Sequence, residues 1–412
     1  MCLAIKERLT ALAVLYEKSG IFKLYIGQQP VVYLFKPETV QAVLSNNACI
    51  DKSHEYTMVE CWLGKGLGTR NGDDWRTRRK ILGPAFHFTV LKDFIPIINE
   101  QSQIFCKVLS KKEDTADISQ LAINCALDII CETAMGVKLN TQFEPLNVYA
   151  RALHRFTEIF VVRILSPWLW PDLIFFNTPL GRELATQVKT LHQFTRGVIQ
   201  NRKADVLNEL QSMYQKVATE NKHDQQQLQL QQELNNNNDT TCTESVDGES
   251  SSPTTDIKPK KRLAFLDLLI KLHLEGVITE EEVREEVDMF TFAGHDTTGI
   301  AIAFAMYCIG LHPDVQEKLH QEMDCIFGDD TERPVTAEDL RQMTYLECVI
   351  KESLRLYPAG PFFARHLAED VVAGGYLLPK GTVAWLCILS LHMNKEVRVV
   401  SIEFHIDQND LH

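Results

Sequence analysis

Residues 279–311 read TEEEVREEVDMFTFAGHDTTGIAIAFAMYCIGL. Thr279 and Glu282 stand in capping-box spacing, and Glu280, Glu281, Glu282, Glu285 and Glu286 put negative charge where a helix dipole welcomes it. The apolar pattern then runs to Leu311 and meets Pro313. This predicts a helix of over 30 residues, about 50 Å long at 1.5 Å per residue. A helix this long and this apolar in its second half must cross the middle of a large core. Its centre, Ala293-Gly294-His295-Asp296-Thr297-Thr298-Gly299, is out of keeping with that role. Each glycine costs about 1 kcal/mol against alanine, and a carboxylate with two hydroxyls faces desolvation unless partnered. Small residues there admit a flat ligand to the backbone, and local opening of the helix can hold water. Two other readings stand beside this one: a kinked core helix with satisfied polar groups, and a His295-Asp296 metal or phosphohydrolase motif. The second lacks any matching His or Asp cluster elsewhere.

Two further motifs flank the helix. Tyr345 to Pro358 reads as a helix in which Glu352 and Arg355 share a face among apolar neighbours, so a buried ion pair is expected. Asp74 to Phe88 begins as a helix and stops at Gly83-Pro84. There Trp75 and Arg79 are one turn apart and can address one anionic group, although a basic surface helix has the same pattern.

The remaining chain is read as mainly α with small β-sheets. Strands are expected at Phe22–Gly27 and Val31–Phe35 around a turn at Gln28–Pro30, and again at Val371–Leu378 and Val383–Leu391. Helices are expected from Pro37 to Leu44 and through about 101–136 and 182–218. From about 219 to 259 the sequence is rich in Gln, Asn and Ser, and is read as a disordered insertion.

Of the 412 residues, 45 % are hydrophobic, ample for a core, and the net charge of −13 argues against nucleic acid as a partner. Eleven cysteines without a C-x-x-C pair fit reduced thiols and argue against structural zinc. Met1–Gly20 has the pattern of an amphipathic helix, not a signal peptide, and no clean apolar run of about 18 residues is present. Residues 159–176 read as a buried helix followed by a loop, or as a surface dipping into a membrane through Trp168, Trp170, Leu173, Phe175 and Phe176.

Taken in order, the three motifs resemble the cytochrome P-450 superfamily, the haem-thiolate monooxygenases of the microsomal type, from about Ile21 to Val397. Stretches at Arg79–Phe88, Arg262–Leu269 and Gly294–Thr298 are similar to its family 4, which hydroxylates fatty acids and related lipids. The resemblance implies a haem b cofactor. Trp75, Arg79 and Arg365 would hold its propionates, and Ala293, Gly294 and Thr297 would lie beside it. Thr297 would hold a water by hydrogen bonding while Asp296 relays protons from solvent, since O–O cleavage needs two of them. Glu352 and Arg355 would be the structural ion pair. Implied partners are O2, a lipophilic substrate, an NADPH-dependent cytochrome P-450 reductase docking on Arg76, Arg78 and Lys80, and a membrane surface, placing the chain on the cytosolic face of the endoplasmic reticulum.

The sequence departs from the resemblance in three places. Ala293 replaces the glutamate that many family 4 proteins esterify to haem, so no such link is expected. The match is expected to hold over 1–397, with 398–412 a divergent tail lacking the ligand-cysteine loop. Cys387, the last cysteine, reads as core, so no metal ligand is assigned and the charges of Glu352 and Arg355 are expected to lack a third partner. An N-terminal anchor is also absent from the pattern, so the chain reads as truncated at both ends. The resulting expectation is a monooxygenase by family whose thiolate is missing here. The alternatives are a non-catalytic product that binds lipid or reductase, and a purely structural helical scaffold.

Overall fold

The computed structural model describes all residues except 1, 27–28, 112–116, 145–146, 237–264, 331, 395–403, 405 and 407–412. The chain begins with α1 (Cys2–Leu15), the strands β1 (Ile21–Ile26) and β2 (Gln29–Leu34), and α2 (Pro37–Leu44). Short helices α3 (Glu60–Leu63), α4 (Gly72–Leu82) and α5 (Phe88–Leu91) precede α6 (Ile95–Ser110) and α7 (Ile118–Ile130). Next come α8 (Val148–Ile164), α9 (Asp172–Phe175), α10 (Pro179–Asn236) and α11 (Phe265–Leu274). The central helix is α12 (Glu280–Leu311), followed by α13 (Pro313–Phe327), α14 (Ala337–Gln342) and α15 (Thr344–Leu356). Strands β3 (Phe363–His366), β4 (Val371–Ala373), β5 (Tyr376–Leu378) and β6 (Val383–Leu386) and the short α16 (Ile388–His392) end the described order.

The capping box forms as expected. The Thr279 hydroxyl accepts from the Glu282 amide at 3.2 Å, and the Glu282 carboxylate accepts from the Thr279 amide at 2.9 Å. The main core gathers round the first half of α12, joining Val283 and Val287 to Leu127 of α7, Leu153 and Phe156 of α8, Leu191 of α10 and Leu269 of α11. The glycines explain how α12 and α7 come so close. A β-carbon at Gly299 would stand 2.5 Å from Ile123 Cα, and one at Gly294 would stand 2.9 Å from the Ile130 side chain. The helix-propensity cost of both residues is thus offset by close approach between helices. At Gly294 the close approach is to the Ile130 side chain.

The larger sheet has the order β1-β2-β6-β3, with β2 and β6 parallel and the outer pairs antiparallel. The β4–β5 hairpin turns at Gly374 and Gly375, whose φ values of 57° and 81° suit a primed turn.

Several expectations are corrected. Gln29 and Pro30 are strand residues, paired with Ile26 and Tyr25. The 101–136 helix is two helices, with α6 ending at Ser110 and α7 starting at Ile118, where the Asp117 side chain accepts from the Gln120 amide at 3.2 Å. The strand expected over 383–391 stops at Leu386, because Cys387 caps α16. β3 was not anticipated. The Gln-rich run expected to be disordered from 219 continues α10 as far as Asn236, in keeping with the good helix propensity of Gln, Leu and Glu. The rest of that insertion and most of the 398–412 tail lie outside the described residues.

Candidate active site

One stripe of α12 is left open although the helix runs through the core. Thr297, Phe304, Tyr307 and Leu311 are exposed and Ala293 is half-buried, at spacings that keep all five on one face. The helix does not open at its centre. The Thr297 hydroxyl donates back to the Ala293 carbonyl at 2.6 Å, which satisfies that group while leaving the side chain on the open face. Asp296, one residue round the helix, is half-buried, and burial raises its pKa, with His154 opposing. His295 is fully buried, its Nδ1 2.9 Å from the Thr291 carbonyl, and desolvation lowers its pKa from 6.5 to about 4. It is therefore a neutral core imidazole, and among the described residues no His/Cys/Asp/Glu cluster suits a metal.

A second cluster brings two cations together. Lys52 and Arg365 face each other in a β-bridge, and the Lys52 ammonium lies 5.1 Å from the centre of the Trp75 ring. Burial first, then repulsion from Arg365, pushes the Lys52 pKa from 10.5 down to about 8. Arg79, one turn beyond Trp75 on α4, is exposed and forms no ion pair among the described residues. The structure thus links Trp75 and Arg365 only through Lys52, which sequence reasoning missed. Its partner Arg365 is far away in the chain, and an isolated lysine gives no signal.

The neighbouring Arg78 behaves differently from the docking residue it was expected to be. It is buried, pairs with Glu282, and lies 3.5 Å from Glu286. Glu286 is fully buried, and desolvation raises its pKa to about 7 against the opposing pull of the Leu67 amide and Arg78. Arg78 therefore ties α4 to α12 and offers nothing at the surface. Arg76 and Lys80 remain exposed.

The expected pair also forms. Arg355 meets Glu352 in two 2.8 Å hydrogen bonds, both residues buried. The expectation that this pair lacks further support is corrected, since Arg355 Nη1 also donates to the His392 carbonyl at 3.2 Å.

Residues 4–399 match the family model described as Cytochrome P450. The chain belongs to the cytochrome P450 family. Among curated relatives it is 41 % identical over 386 residues to Cytochrome P450 4V2 of Homo sapiens, covering 92 % of this chain and 66 % of that protein. It is 40 % identical over 391 residues to Cytochrome P450 4c3 of Drosophila melanogaster, covering 94 % and 68 %, and 35 % identical over 396 residues to Cytochrome P450 4c21 of Blattella germanica, covering 95 % and 72 %. The chain spans about two thirds of the length of the first of these relatives.

A cytochrome P450 uses haem, and two features of this structure fit that group. The open stripe of α12 offers a small, flat face at Ala293 with one hydroxyl at Thr297. Lys52 and Arg365 repel one another beside Trp75, and propionates would supply negative charge there. Cys387 does not belong to this face. It is buried, its thiol bonds Ser390 at 3.1 Å, and it accepts the α16 amide of Ser390 at 3.4 Å. Cys49, Cys61, Cys106, Cys125, Cys131, Cys308, Cys325, Cys348 and Cys387 are all free thiols.

Proposed function

We propose that this chain provides the oxygen-facing helix and the propionate cradle of a monooxygenase that hydroxylates fatty acids or other lipophilic substrates. Electrons would come from NADPH through a flavoprotein reductase. The observation that carries the reading is a hydroxyl and a raised-pKa carboxylate, Thr297 and Asp296, side by side at the centre of a core helix whose adjoining stripe is open. Haem, when bound, supplies the activation of O2. The protein's own part is to hold the propionates with Trp75, Arg79, Arg365 and Lys52, to orient a water at the Thr297 hydroxyl, and to pass protons through Asp296. A carboxyl whose pKa is raised by burial is a better proton donor near neutrality than an exposed aspartate.

Membrane contact is supported by apolar side chains turned to solvent. Trp168 is 66 % and Leu173 82 % exposed, with Ile174 beside them. Phe175 does not belong to that surface, because it is fully buried under the Arg163 guanidinium, 4.1 Å from its ring centre. Among the described residues one unbroken helical run, Ile118–Met135, is long and apolar enough to cross a membrane, yet over half of it is buried against the core. We place the active assembly at the endoplasmic reticulum membrane on its cytosolic side.

The core position of Cys387 favours a second reading, in which these 412 residues alone bind lipid or reductase without turnover. Both readings are tested by incubating the haem-supplied 412 residues, and the same chain extended by a loop carrying a ligand cysteine, with reductase, NADPH and a medium-chain fatty acid. Hydroxylated product from the extended form that disappears in Thr297→Ala supports the first. No product from either form, with NADPH consumed no faster than by the reductase alone, supports the second.

A further inference from the structure

Arg78 ties α4 to α12, but Lys52 and Arg365 lie on other elements and need a tie of their own. The turn at residues 64–70 supplies it. It lies so close on α12 that a β-carbon at Gly66 would stand 2.9 Å from the Glu285 carbonyl oxygen, and one at Gly68 would stand 2.4 Å from the Met289 sulfur. The Leu67 amide donates to the Glu286 carboxylate at 3.0 Å. At the end of the turn stands Arg70, half-buried, its amide donating to the Gly66 carbonyl at 3.1 Å. Its Nη2 donates to Glu282 at 2.9 Å and lies 3.8 Å from Glu285, both on α12. Its carbonyl accepts from the Lys52 ammonium. The neighbouring residues stitch the same seam. Asn71 Oδ1 accepts from the Lys52 amide at 2.8 Å, and the Gly72 amide donates to the Asp51 carboxylate at 2.8 Å. Lys52 in turn bridges to Arg365 and stands over the Trp75 ring.

We propose that Arg70 is a positioning residue for the propionate cradle, gripping α12 at Glu282 with its side chain while its carbonyl holds the Lys52 ammonium. The inference rests on the role given to Lys52 above. Three observations carry it.

A lysine ammonium is a mobile point charge on a flexible stem, so an anion site built on it needs something that fixes it. The Arg70 carbonyl takes one of its three N–H donors and leaves two for an anion. Among the described residues Lys52 has no ion pair, so those two are not spent on a carboxylate of the chain. The grip on α12 is also narrow. Arg70 Nε is buried without a hydrogen-bond partner, so the guanidinium is oriented through Nη2, and losing Glu282 would release it. Arg78 shares Glu282 but cannot substitute, because among the described residues it has no hydrogen bond to Lys52.

The test needs no turnover. Haemin is titrated into the whole haem-free chain, and dissociation constants are compared for the parent, Arg70→Gln, Lys52→Ala and the double variant, with urea midpoints showing that each is folded. Arg70→Gln should weaken binding about 3–10-fold, since it misplaces a charge-assisted donor without removing it. Because Arg70 acts through Lys52, the double variant should bind within about twofold of Lys52→Ala alone. Losses that multiply would show Arg70 acting independently of Lys52, and unchanged affinity in Arg70→Gln would show that it does not act. Either result overturns the proposal. If Lys52→Ala itself binds haemin as the parent does, the cradle fails, and the proposal with it. A second arm reads the haem-free chain labelled with 15N-tryptophan, the Trp75 indole signal being assigned by its loss in Trp75→Phe. Arg70→Gln should move that signal toward its position in Lys52→Ala, because the ammonium no longer stands over the ring. A signal that moves in Lys52→Ala and stays in place in Arg70→Gln contradicts the proposal. Should Arg70→Gln not fold, Glu282→Gln breaks the same grip from α12 and carries the same expectations.

Discussion

Replacing Gly299 by alanine should destabilise the protein, although alanine is the better helix former. The new methyl would meet Ile123 Cα at 2.5 Å and Ile123 N at 2.7 Å, where carbon contacts prefer about 3.5–4.0 Å. The obstacle is backbone, so α7 and α12 must separate by about 1 Å or the helix must distort. Overpacking of this kind costs about 1–3 kcal/mol and occasionally more, against a propensity gain of about 1 kcal/mol. The expected net loss is up to about 2 kcal/mol. Gly310, on the same helix, has nothing within 4 Å of a β-carbon, so Gly310→Ala should gain about 1 kcal/mol. Gly294→Ala should fall between them, because Ile130 can yield through its side chain at 2.9 Å. Urea midpoints measured side by side read the order directly. If Gly299→Ala proves as stable as Gly310→Ala, close approach of α7 is not why glycine stands there.

Three other outcomes are expected. Removing Glu352 alone strands the Arg355 charge and should cost about 3–5 kcal/mol, seen as loss of soluble protein, while Glu352→Leu with Arg355→Met recovers much of it. Lys52→Ala should weaken haem uptake about 10–100-fold, as loss of a charge-assisted hydrogen bond does, in a haem titration. In the haem-free chain, Arg365→Ala should instead raise the Lys52 pKa from about 8, read by the pH dependence of amine labelling. His295 gives a pH signature. Folding lowers its pKa from 6.5 to about 4, so the folded state binds fewer protons than the unfolded one. Its contribution is complete above 6.5 and is lost as pH falls toward about 4, a span of about 3 kcal/mol. Stability curves of His295→Gln should lack that slope.

Sequence and structure agree best where the signal is local. The capping box at Thr279, the helix stop before Pro313 and the one-turn spacing of Trp75 and Arg79 are set by neighbours in the chain, and all three appear. Charge near charge is less legible. Arg76, Arg78 and Lys80 look alike in sequence, yet only Arg78 is buried, because Glu282 and Glu286 lie more than 200 residues away. Lys52 went unread for the same reason, since it acquires its chemistry from residues on distant elements. Gly294 and Gly299 stand out in the sequence as helix-interior glycines, but only the structure names α7 as what they accommodate.

The most direct test of the account is the reduced carbon-monoxide difference spectrum of these 412 residues supplied with haem, beside the same chain extended by a glycine-rich loop carrying one cysteine. The proposed cradle of Trp75, Arg79, Arg365 and Lys52 predicts that both take up haem and that only the extended form gives the strongly red-shifted band of thiolate-ligated iron. That band from the unextended chain would show that one of its own cysteines is the ligand, and no haem uptake by either would contradict the cradle itself.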